Sequence, residues 1–402
     1  MEQALYVVSR SLMLQLDQRG FWQGTNSVSR EAQRVEEDAL PVLAAFARPR
    51  TLRAAFEALR AEWEVDEEGL AATVARLVEI GFLTRPGSQS AAPAEGGFAH
   101  ALPHFLMIRD SVRVAAYRGA IERHCAGKSV LEIGCGSGIL SLFAARAGAR
   151  GVVAIEESAV ADLAARMFAA NGCAELVDLR RGNSRDIEIE EKAEVIVHEI
   201  LGTDPLAENM LFYLGDARRR FLAPGGRLIP YRLEIACVGI ELADKPLISP
   251  ERALLEARQF EAAYGLSFGP LIDELKKTPE SRFPRRMTFP AYEPFAAPIL
   301  TREARLADLD LRGEPDQELG RKRAIRLEVA QTGRLGAVLV FFHAHLDERT
   351  VLSTSPFAPP THWGWDVRRL SKEVEVAAGT TIELTAEARI ERGLERFVVD
   401  WP

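Results

Sequence analysis

Residues 129–138 read Ser-Val-Leu-Glu-Ile-Gly-Cys-Gly-Ser-Gly, and residues 139–147 continue as Ile-Leu-Ser-Leu-Phe-Ala-Ala-Arg-Ala. An apolar run, a glycine-rich turn and a helical pattern follow one another here, which is the setting that gives such glycines chemical meaning. Glycines let the backbone approach a ligand and tolerate strained dihedrals. Taken alone, the turn Gly134-Cys135-Gly136-Ser137-Gly138 fits NAD, FAD or S-adenosylmethionine, or a purely structural bend. Glu156 ends the next apolar strand, eighteen residues beyond Gly138, where a carboxylate can accept both hydroxyls of a ribose. The GxGxG spacing is tighter than the GxGxxG of dinucleotide folds, which favours S-adenosylmethionine.

Working outward, the region from about His100 to Pro230 alternates strands with helices. Ser129 to Ile133, Gly151 to Ile155, Leu176 to Arg180 and Glu194 to Val197 are short apolar strands. Ile139 to Ala147 and Ala159 to Asn171 are helical between them, which predicts a parallel α/β sheet wound on both faces. After Pro230 the character changes. Arg323 to Gln331, Gly336 to Leu346 and Thr380 to Ile390 alternate over longer runs and predict antiparallel strands of a barrel or sandwich. Glu251 to Tyr264 reads as a helix interrupting them.

The segment from Arg85 to Gly97, RPGSQSAAPAEGG, is rich in Pro, Gly, Ser and Ala and reads as a linker. Before it lies a unit with a strand at Leu12 to Leu16 and three helices. The first covers Glu36 to Phe46, the second Thr51 to Trp63 with Thr51 as cap, and the third Asp66 to Ile80 with Asp66 as cap and Gly81 as stop. Leu70, Val74, Leu77 and Val78 form the apolar stripe of the last. The expected division is thus 1–84, a linker at 85–98, an α/β unit at 99–230 and a β unit at 231–402.

Bulk properties narrow the function. A chain of 402 residues predicts two or three domains. The net charge of −8 argues against nonspecific nucleic-acid binding and suits a cationic peptide. Cys125, Cys135, Cys173 and Cys237 show no CxxC spacing, so neither a zinc site nor a disulfide framework is expected. Neither a secretory signal nor an apolar stretch of membrane-spanning length is read, so a cytoplasmic protein without a membrane role is expected.

The second informative stretch is Ala193 to Met210, AEVIVHEILGTDPLAENM: a buried strand that releases Glu199 and Glu208, nine residues apart. Two carboxylates on one short loop suit a planar guanidinium, which offers paired donors to each. Thr361-His362-Trp363 supplies another polar loop farther on.

Val130 to Ala149 and Ile155-Glu156, with the double-glutamate loop and the Thr-His-Trp loop in that order, resemble the protein arginine N-methyltransferases, class I methyltransferases using S-adenosylmethionine. His104-Phe-Leu-Met107, Asp110-Ser-Val-Arg113 and Tyr117-Arg118 are similar to the helix that lies over the cofactor in that family. The resemblance spans roughly His100 to Pro402. It implies a Rossmann-like cofactor domain followed by a β-barrel domain. It also implies that Arg113 pairs with the cofactor carboxylate, that Glu132, Gly134, Cys135, Gly136 and Gly138 surround its amino-acid end, and that Glu156 holds the ribose. His104 and Met107 would shape the cofactor side, and Ser184 the adenine edge. Glu199 and Glu208 would clamp the substrate guanidinium, with His362 beside them, paired to Asp110 and able to take the proton.

Three departures from the family are visible. His198 stands where Ser or Thr is usual, and Ile200 where an aromatic often follows the first glutamate. Ser184-Arg185 stands where an acid often meets the adenine, leaving Asp186 as a possible substitute. The family assembles through a helical arm in its barrel, so a homodimer is expected, with Glu251 to Lys277 as the arm and Leu254, Leu255, Phe260, Tyr264 and Leu266 as its apolar contacts.

Leu12 to Leu83 resembles the PqqD-like recognition element of ribosomally made, modified peptides, built on a winged-helix-like unit. A winged-helix cap or dimer contact is the alternative. The resemblance implies a precursor peptide, held by its leader, as partner. Rival readings place the methyl on a histidine or carboxylate, as His198 and Ile200 would permit, or make the chain an idle peptide-binding scaffold.

Overall fold

The computed structural model describes residues 4–9, 12–16, 21–25, 33–63, 65–85, 97–241, 250–278, 297–314, 318–391 and 394–400. Most of the segment read as a linker, 86–96, lies outside them.

The N-terminal unit runs β1 (Leu5–Val8), β2 (Met13–Leu16), β3 (Trp22–Thr25), β4 (Gln33–Val35), α1 (Ala39–Ala45), β5 (Arg50–Thr51), α2 (Leu52–Leu59), α3 (Glu67–Glu79) and β6 (Leu83–Thr84). β2, β3 and β4 form one antiparallel sheet, and β1 lies between β5 and β6 in another. Both expected caps are in place: Thr51 Oγ1 accepts from the Ala54 amide at 3.2 Å, and Asp66 Oδ1 from Gly69 at 2.7 Å. Leu70, Val74 and Leu77 of α3 are buried with Phe46 and Phe82. Val78 is 39 % exposed, because its position falls at the edge of a stripe repeating every three to four residues.

The central unit begins with α4 (Ala101–Arg109) and α5 (Ser111–His124). These are two helices rather than one, broken at Asp110 (ψ 86°), whose side chain caps α5 by accepting from the Arg113 amide at 2.9 Å. Then follow β7 (Ser129–Ile133), α6 (Ile139–Arg146), β8 (Gly151–Glu156), α7 (Ala161–Ala170), β9 (Val177–Arg181), β10 (Ala193–His198), α8 (Met210–Phe221) and β11 (Leu222–Ile229). The five strands are parallel in the order β11-β10-β7-β8-β9. Strand order reverses between β7 and β10, and ligands of open α/β sheets bind at such a switch point, beyond the carboxyl ends of the strands. β11 escaped the sequence reading because Ala-Pro-Gly-Gly inside it looks like a turn.

The last unit comprises β12 (Arg232–Ile240), α9 (Pro250–Tyr264), α10 (Gly269–Lys277), β13 (Ala304–Asp310), β14 (Lys322–Glu328), β15 (Gly333–His345), β16 (Val351–Ser353), β17 (Asp366–Val376), β18 (Thr381–Glu391) and β19 (Leu394–Asp400). β12 pairs with β13 and β15, β15 also with β16 and β17, and β14-β18-β19 form a second antiparallel sheet, giving a barrel-like pair of sheets. Side chains of β12 alternate between two cores. Leu233, Ile235 and Cys237 join the main core, and Ala236, Val238 and Ile240 a second one with Phe341 and Trp365. Burying both faces explains why β12 reads as a nearly unbroken apolar run. Each fully buried Leu, Ile or Phe contributes about 1.5–3 kcal/mol of transfer free energy.

The expected arm is α9 and α10. Its Phe260, Leu266, Phe268, Leu271 and Leu275 are buried in the main core of their own chain, against α4 and α7. Of the expected contacts, the side chain of Leu255 lies outside the described residues.

Candidate active site

A cleft of about 500 Å³ opens over the carboxyl ends of β7, β8, β9 and β10, within the range of small-ligand sites. Its floor is the glycine turn. Gly136 has φ +56°, and a Cβ there would fall 2.7 Å from the His104 ring, so glycine is required both by conformation and by the helix packed over it. Gly138 departs from expectation: it lies behind the wall, where a Cβ would meet the Phe168 ring at 2.4 Å, and its part is to let α6 begin against α7. Gly134 and Cys135 line the cleft as expected.

Four strand ends deliver the polar groups of the wall. Glu132, on β7, is buried and accepts a hydrogen bond from Ser141 Oγ; burial pushes its carboxyl up to about 8. Glu156, closing β8, is held by two backbone amides: Gly136 N donates to Oε2 at 2.9 Å and Ser158 N to Oε1 at 2.8 Å. That grip fixes the carboxylate while leaving lone pairs toward the cleft. After β9 come Asn183 and Ser184 on the wall. Asn183 Nδ2 donates to Glu157 Oε2 at 2.8 Å and to Tyr213 Oη at 3.1 Å, building one end of the cleft from three side chains. Asp186 is not the substitute acid that its position promised: it is off the wall and accepts from Ser9 Oγ of the N-terminal unit at 3.2 Å.

Beyond β10, Glu199 and Glu208 both reach the same cleft. Glu208 precedes Asn209, the one non-glycine residue with positive φ (56°) among the described residues, which turns the chain into α8. Asn tolerates that left-handed conformation, and backbone strain of this kind gathers at functional sites. Arg113 Nη2 donates to Glu199 Oε2 at 2.6 Å, while Nη1 donates to the Met107 carbonyl at 3.1 Å. Burial opposes the Arg113 charge, but Glu199 outweighs it and the guanidinium is held more tightly protonated than usual. Arg113 Nε is buried without a hydrogen-bond partner among the described residues. The Ser158 hydroxyl, also on the wall, is likewise buried and unpartnered.

The far wall comes from the loop between β16 and β17. His362 N and Nδ1 lie 2.7 and 3.0 Å from Asp110 Oδ2, so the carboxylate fixes both loop and ring. Asp110 itself stands behind His362 rather than on the wall. Burial raises the Asp110 carboxyl, but the hydrogen bond and charge of His362 with two backbone amides bring it below its usual value. Burial lowers His362, only partly offset by Asp110, which leaves the ring neutral near pH 7. Trp363 Nε1 donates to the Leu201 carbonyl, and Thr203 Oγ1 to the Trp363 carbonyl at 2.8 Å, clipping this loop to the double-glutamate loop. His198, by contrast, is fully buried with Nε2 3.1 Å from the Pro230 carbonyl, away from the cleft.

Sequence reasoning missed Phe98, Glu157, Ser158, Asn183 and Tyr213, all on the wall. Phe98 sits at the end of the segment read as a linker, and its carbonyl lies 2.7 Å from His104 Nε2. Tyr213 had no local signal, since only the turn at Asn209 aims α8 into the site.

Residues 262–397 match the family described as the arginine methyltransferase oligomerization subdomain, and residues 119–230 match the ribosomal protein L11 methyltransferase family. The chain is 30 % identical over 306 residues to protein arginine N-methyltransferase 1 of Schizosaccharomyces pombe, covering 74 % of this chain and 85 % of that protein. It is 30 % identical over 287 residues to protein arginine N-methyltransferase 6 of Danio rerio, covering 70 % and 79 %. Among solved structures, the Arabidopsis thaliana protein arginine methyltransferase 10 superposes with TM-score 0.59 at 25 % identity, covering 75 % of this chain and 93 % of that one. The Trypanosoma brucei PRMT1 enzyme–prozyme heterotetramer with AdoHcy does so at TM-score 0.57 and 26 % identity, covering 73 % and 89 %.

Proposed function

The chain belongs to the protein arginine N-methyltransferase family, and on that premise we propose that it methylates an arginine of a ribosomally made precursor peptide recruited by its N-terminal unit. It is an S-adenosylmethionine-dependent N-methyltransferase. When bound, that cofactor supplies an electrophilic methyl on its sulfonium.

The residues of the cleft fit the cofactor. Arg113 Nε, a buried donor without a partner among the described residues, suits a carboxylate. Glu132 suits an ammonium, and Glu156, fixed by two amides, suits the ribose hydroxyls. Asn183, Ser184, Glu157 and Tyr213 bound the adenine end.

The observation that carries the arginine reading is that Glu199, Glu208 and His362 share one cleft with Glu156 and the glycine turn. A guanidinium is a poor nucleophile, delocalised and protonated to above pH 12. Glu199 and Glu208 would hold it side-on and keep its charge on the nitrogens they touch, leaving the remaining nitrogen to react. Holding reacting atoms in line is worth on the order of 7–11 kcal/mol. His362, neutral and with Nδ1–H turned to Asp110, has Nε2 able to accept the proton. Met107 and Ile200 narrow the space beside these groups. The burial of His198 removes one motive for placing the methyl on another side chain.

Three antiparallel strands followed by three helices, two of them capped by Thr51 and Asp66, support the recognition role of the N-terminal unit. A leader held there raises the local concentration of the peptide at the cleft. A homodimer is proposed from the oligomerization match. The test is incubation of a precursor peptide with labelled S-adenosylmethionine and residue-level mass spectrometry. Labelling confined to arginine and lost in Glu208→Gln supports the reading; labelling that persists when every arginine is replaced by lysine overturns it.

A further inference from the structure

We propose that Arg368 of β17 and Asp204 of the double-glutamate loop are a positioning pair through which the β unit sets the spacing of Glu199 and Glu208. The proposal rests on reading those two acids as the substrate clamp.

The loop between the acids has to deliver both carboxylates to one cleft, and its turns decide whether they arrive together. Gly202 opens the first turn: a Cβ there would fall 2.8 Å from the Asp204 carbonyl oxygen and 3.1 Å from the Ala207 side chain. Asp204 makes the next one. Its carbonyl accepts from the Ala207 amide at 2.9 Å, and its Oδ1 from the Leu206 amide at 3.2 Å, an Asx turn. The Leu206 carbonyl then accepts from the Asn209 amide at 2.9 Å, at the left-handed step into α8. Glu208 therefore inherits its place from the turn at Asp204.

Asp204 is 6 % exposed and does not line the cleft, whereas Gly202, Thr203 and Ala207 on either side of it do. Its carboxylate meets the β unit instead: Arg368 Nη2 donates to Oδ2 at 3.2 Å. The strand aims that guanidinium. Arg368 stands directly opposite Val338 of β15, and residues so paired share a face of the sheet. Val338 belongs to the main core, which also holds Leu206 and Trp363, so Arg368 is directed at the loop. Asp366 of the same strand accepts from Arg368 Nε at 2.9 Å and from Nη2, which fixes the planar fork. The pair is largely out of solvent (20 % and 6 % exposed), so water and salt weaken it less than a surface pair. Trp363 holds the first half of the loop at Leu201 and Thr203. The Asp204–Arg368 contact adds a hold on the half that leads to Glu208.

The test uses the full chain with AdoHcy and, as guanidinium probe, a synthetic peptide with one arginine between glycines. Arg368→Gln and Asp204→Asn should each lower kcat/KM for the peptide about ten- to a hundredfold, as expected when a reacting group is displaced by about 1 Å. AdoHcy affinity should stay within about twofold of wild type. Because both exchanges break one contact, the double variant should lose no more than the worse single one. Arg368→Lys, which keeps the charge, should regain part of the turnover. Asp204→Asn keeps the side-chain shape and so remains a test if Arg368→Gln fails to fold, and Arg326→Gln, from an exposed pair with Glu383, is the control. Turnover within about twofold of wild type in both single variants overturns the proposal. So does a parallel fall of turnover and AdoHcy affinity, which would mean that the pair holds the fold and not the clamp. Losses that add in the double variant overturn it as well, since the two residues would then act apart. A wild-type chain that binds AdoHcy but leaves the probe unmethylated sinks the reading of the clamp and the pair with it. Normal wild-type turnover with unaffected variants sinks the pair alone.

Discussion

Arg113 on α5 and Glu199 at the end of β10 meet across the cleft at 2.6 Å, with side chains only 5 % and 7 % exposed. The pair joins the group read as cofactor-binding to the group read as substrate-binding. Removing one member of a buried pair strands the other charge, at a cost of about 3–5 kcal/mol. Arg113→Met should therefore lower thermal stability and abolish AdoHcy binding in calorimetry. Unchanged AdoHcy affinity in that variant would refute the role assigned to Arg113.

Glu208→Gln keeps the shape of the clamp and removes its charge. Turnover should fall by about two to three orders of magnitude, the usual cost of deleting one group that stabilises developing charge. AdoHcy affinity should stay within about twofold if Glu208 serves the substrate side, as proposed. Steady-state kinetics with the peptide, set beside AdoHcy titration, separates the two effects.

Burial lifts Glu132 to about 8. A carboxyl raised in the folded state favours folding when neutral: that contribution is complete below about 4.5 and is lost as pH climbs through about 8. A cationic ligand group beside it reverses the preference, so binding expels a proton. AdoHcy affinity should rise with pH, by at most about tenfold per unit, and level off above about 8, and Glu132→Gln should flatten the profile. A level wild-type profile would show that no ammonium sits at Glu132.

His362 is held below its usual value of 6.5 by burial, and Asp110 works the other way. If His362 accepts the proton, the acid limb of the kcat profile lies below 6.5. Asp110→Asn should push the limb lower still while reducing kcat by about ten- to a hundredfold. A limb unmoved by Asp110→Asn means that another group takes the proton.

The unpartnered Ser158 hydroxyl predicts opposite signs for two measurements. Ser158→Ala removes a buried polar group that lacks a partner among the described residues, so the melting temperature of the free protein should hold or rise. If the nucleoside normally satisfies that hydroxyl, AdoHcy affinity should drop by about three- to tenfold. Equal losses in both, or in neither, would rule the contact out.

The parallel sheet and the glycine turn were legible in the chain because periodicity marks the strands, and Glu156, Glu199, Glu208 and His362, singled out on the loops and strand ends around them, all line the one cleft. Glu199 follows a continuous apolar run, and Glu156 ends another. What stayed hidden depended on tertiary placement. Asn183 and Tyr213 meet only because α8 is launched by a left-handed residue at 209. Asp186 looked available for adenine until β1 brought Ser9 to it. α4 and α5 read as one helix because Asp110 is compatible with a helical pattern, and its capping role needs the amide of Arg113 and the distant loop at His362. The apolar face of α9 could be seen, but a stripe does not name the surface that covers it.

The Ser9–Asp186 hydrogen bond means that the first 84 residues cannot be treated as a detachable tether. The loop holding Asp186 also carries Asn183 and Ser184 on the wall of the nucleoside end. Cutting the chain at the linker would remove the Ser9 partner of Asp186, so a sluggish truncation would confound loss of the proposed recruitment with a disturbed loop on the cleft wall. The single exchange Ser9→Ala in the intact protein isolates this contact: AdoHcy affinity that falls shows that Ser9 supports the loop at Asp186, and affinity left untouched shows that it does not.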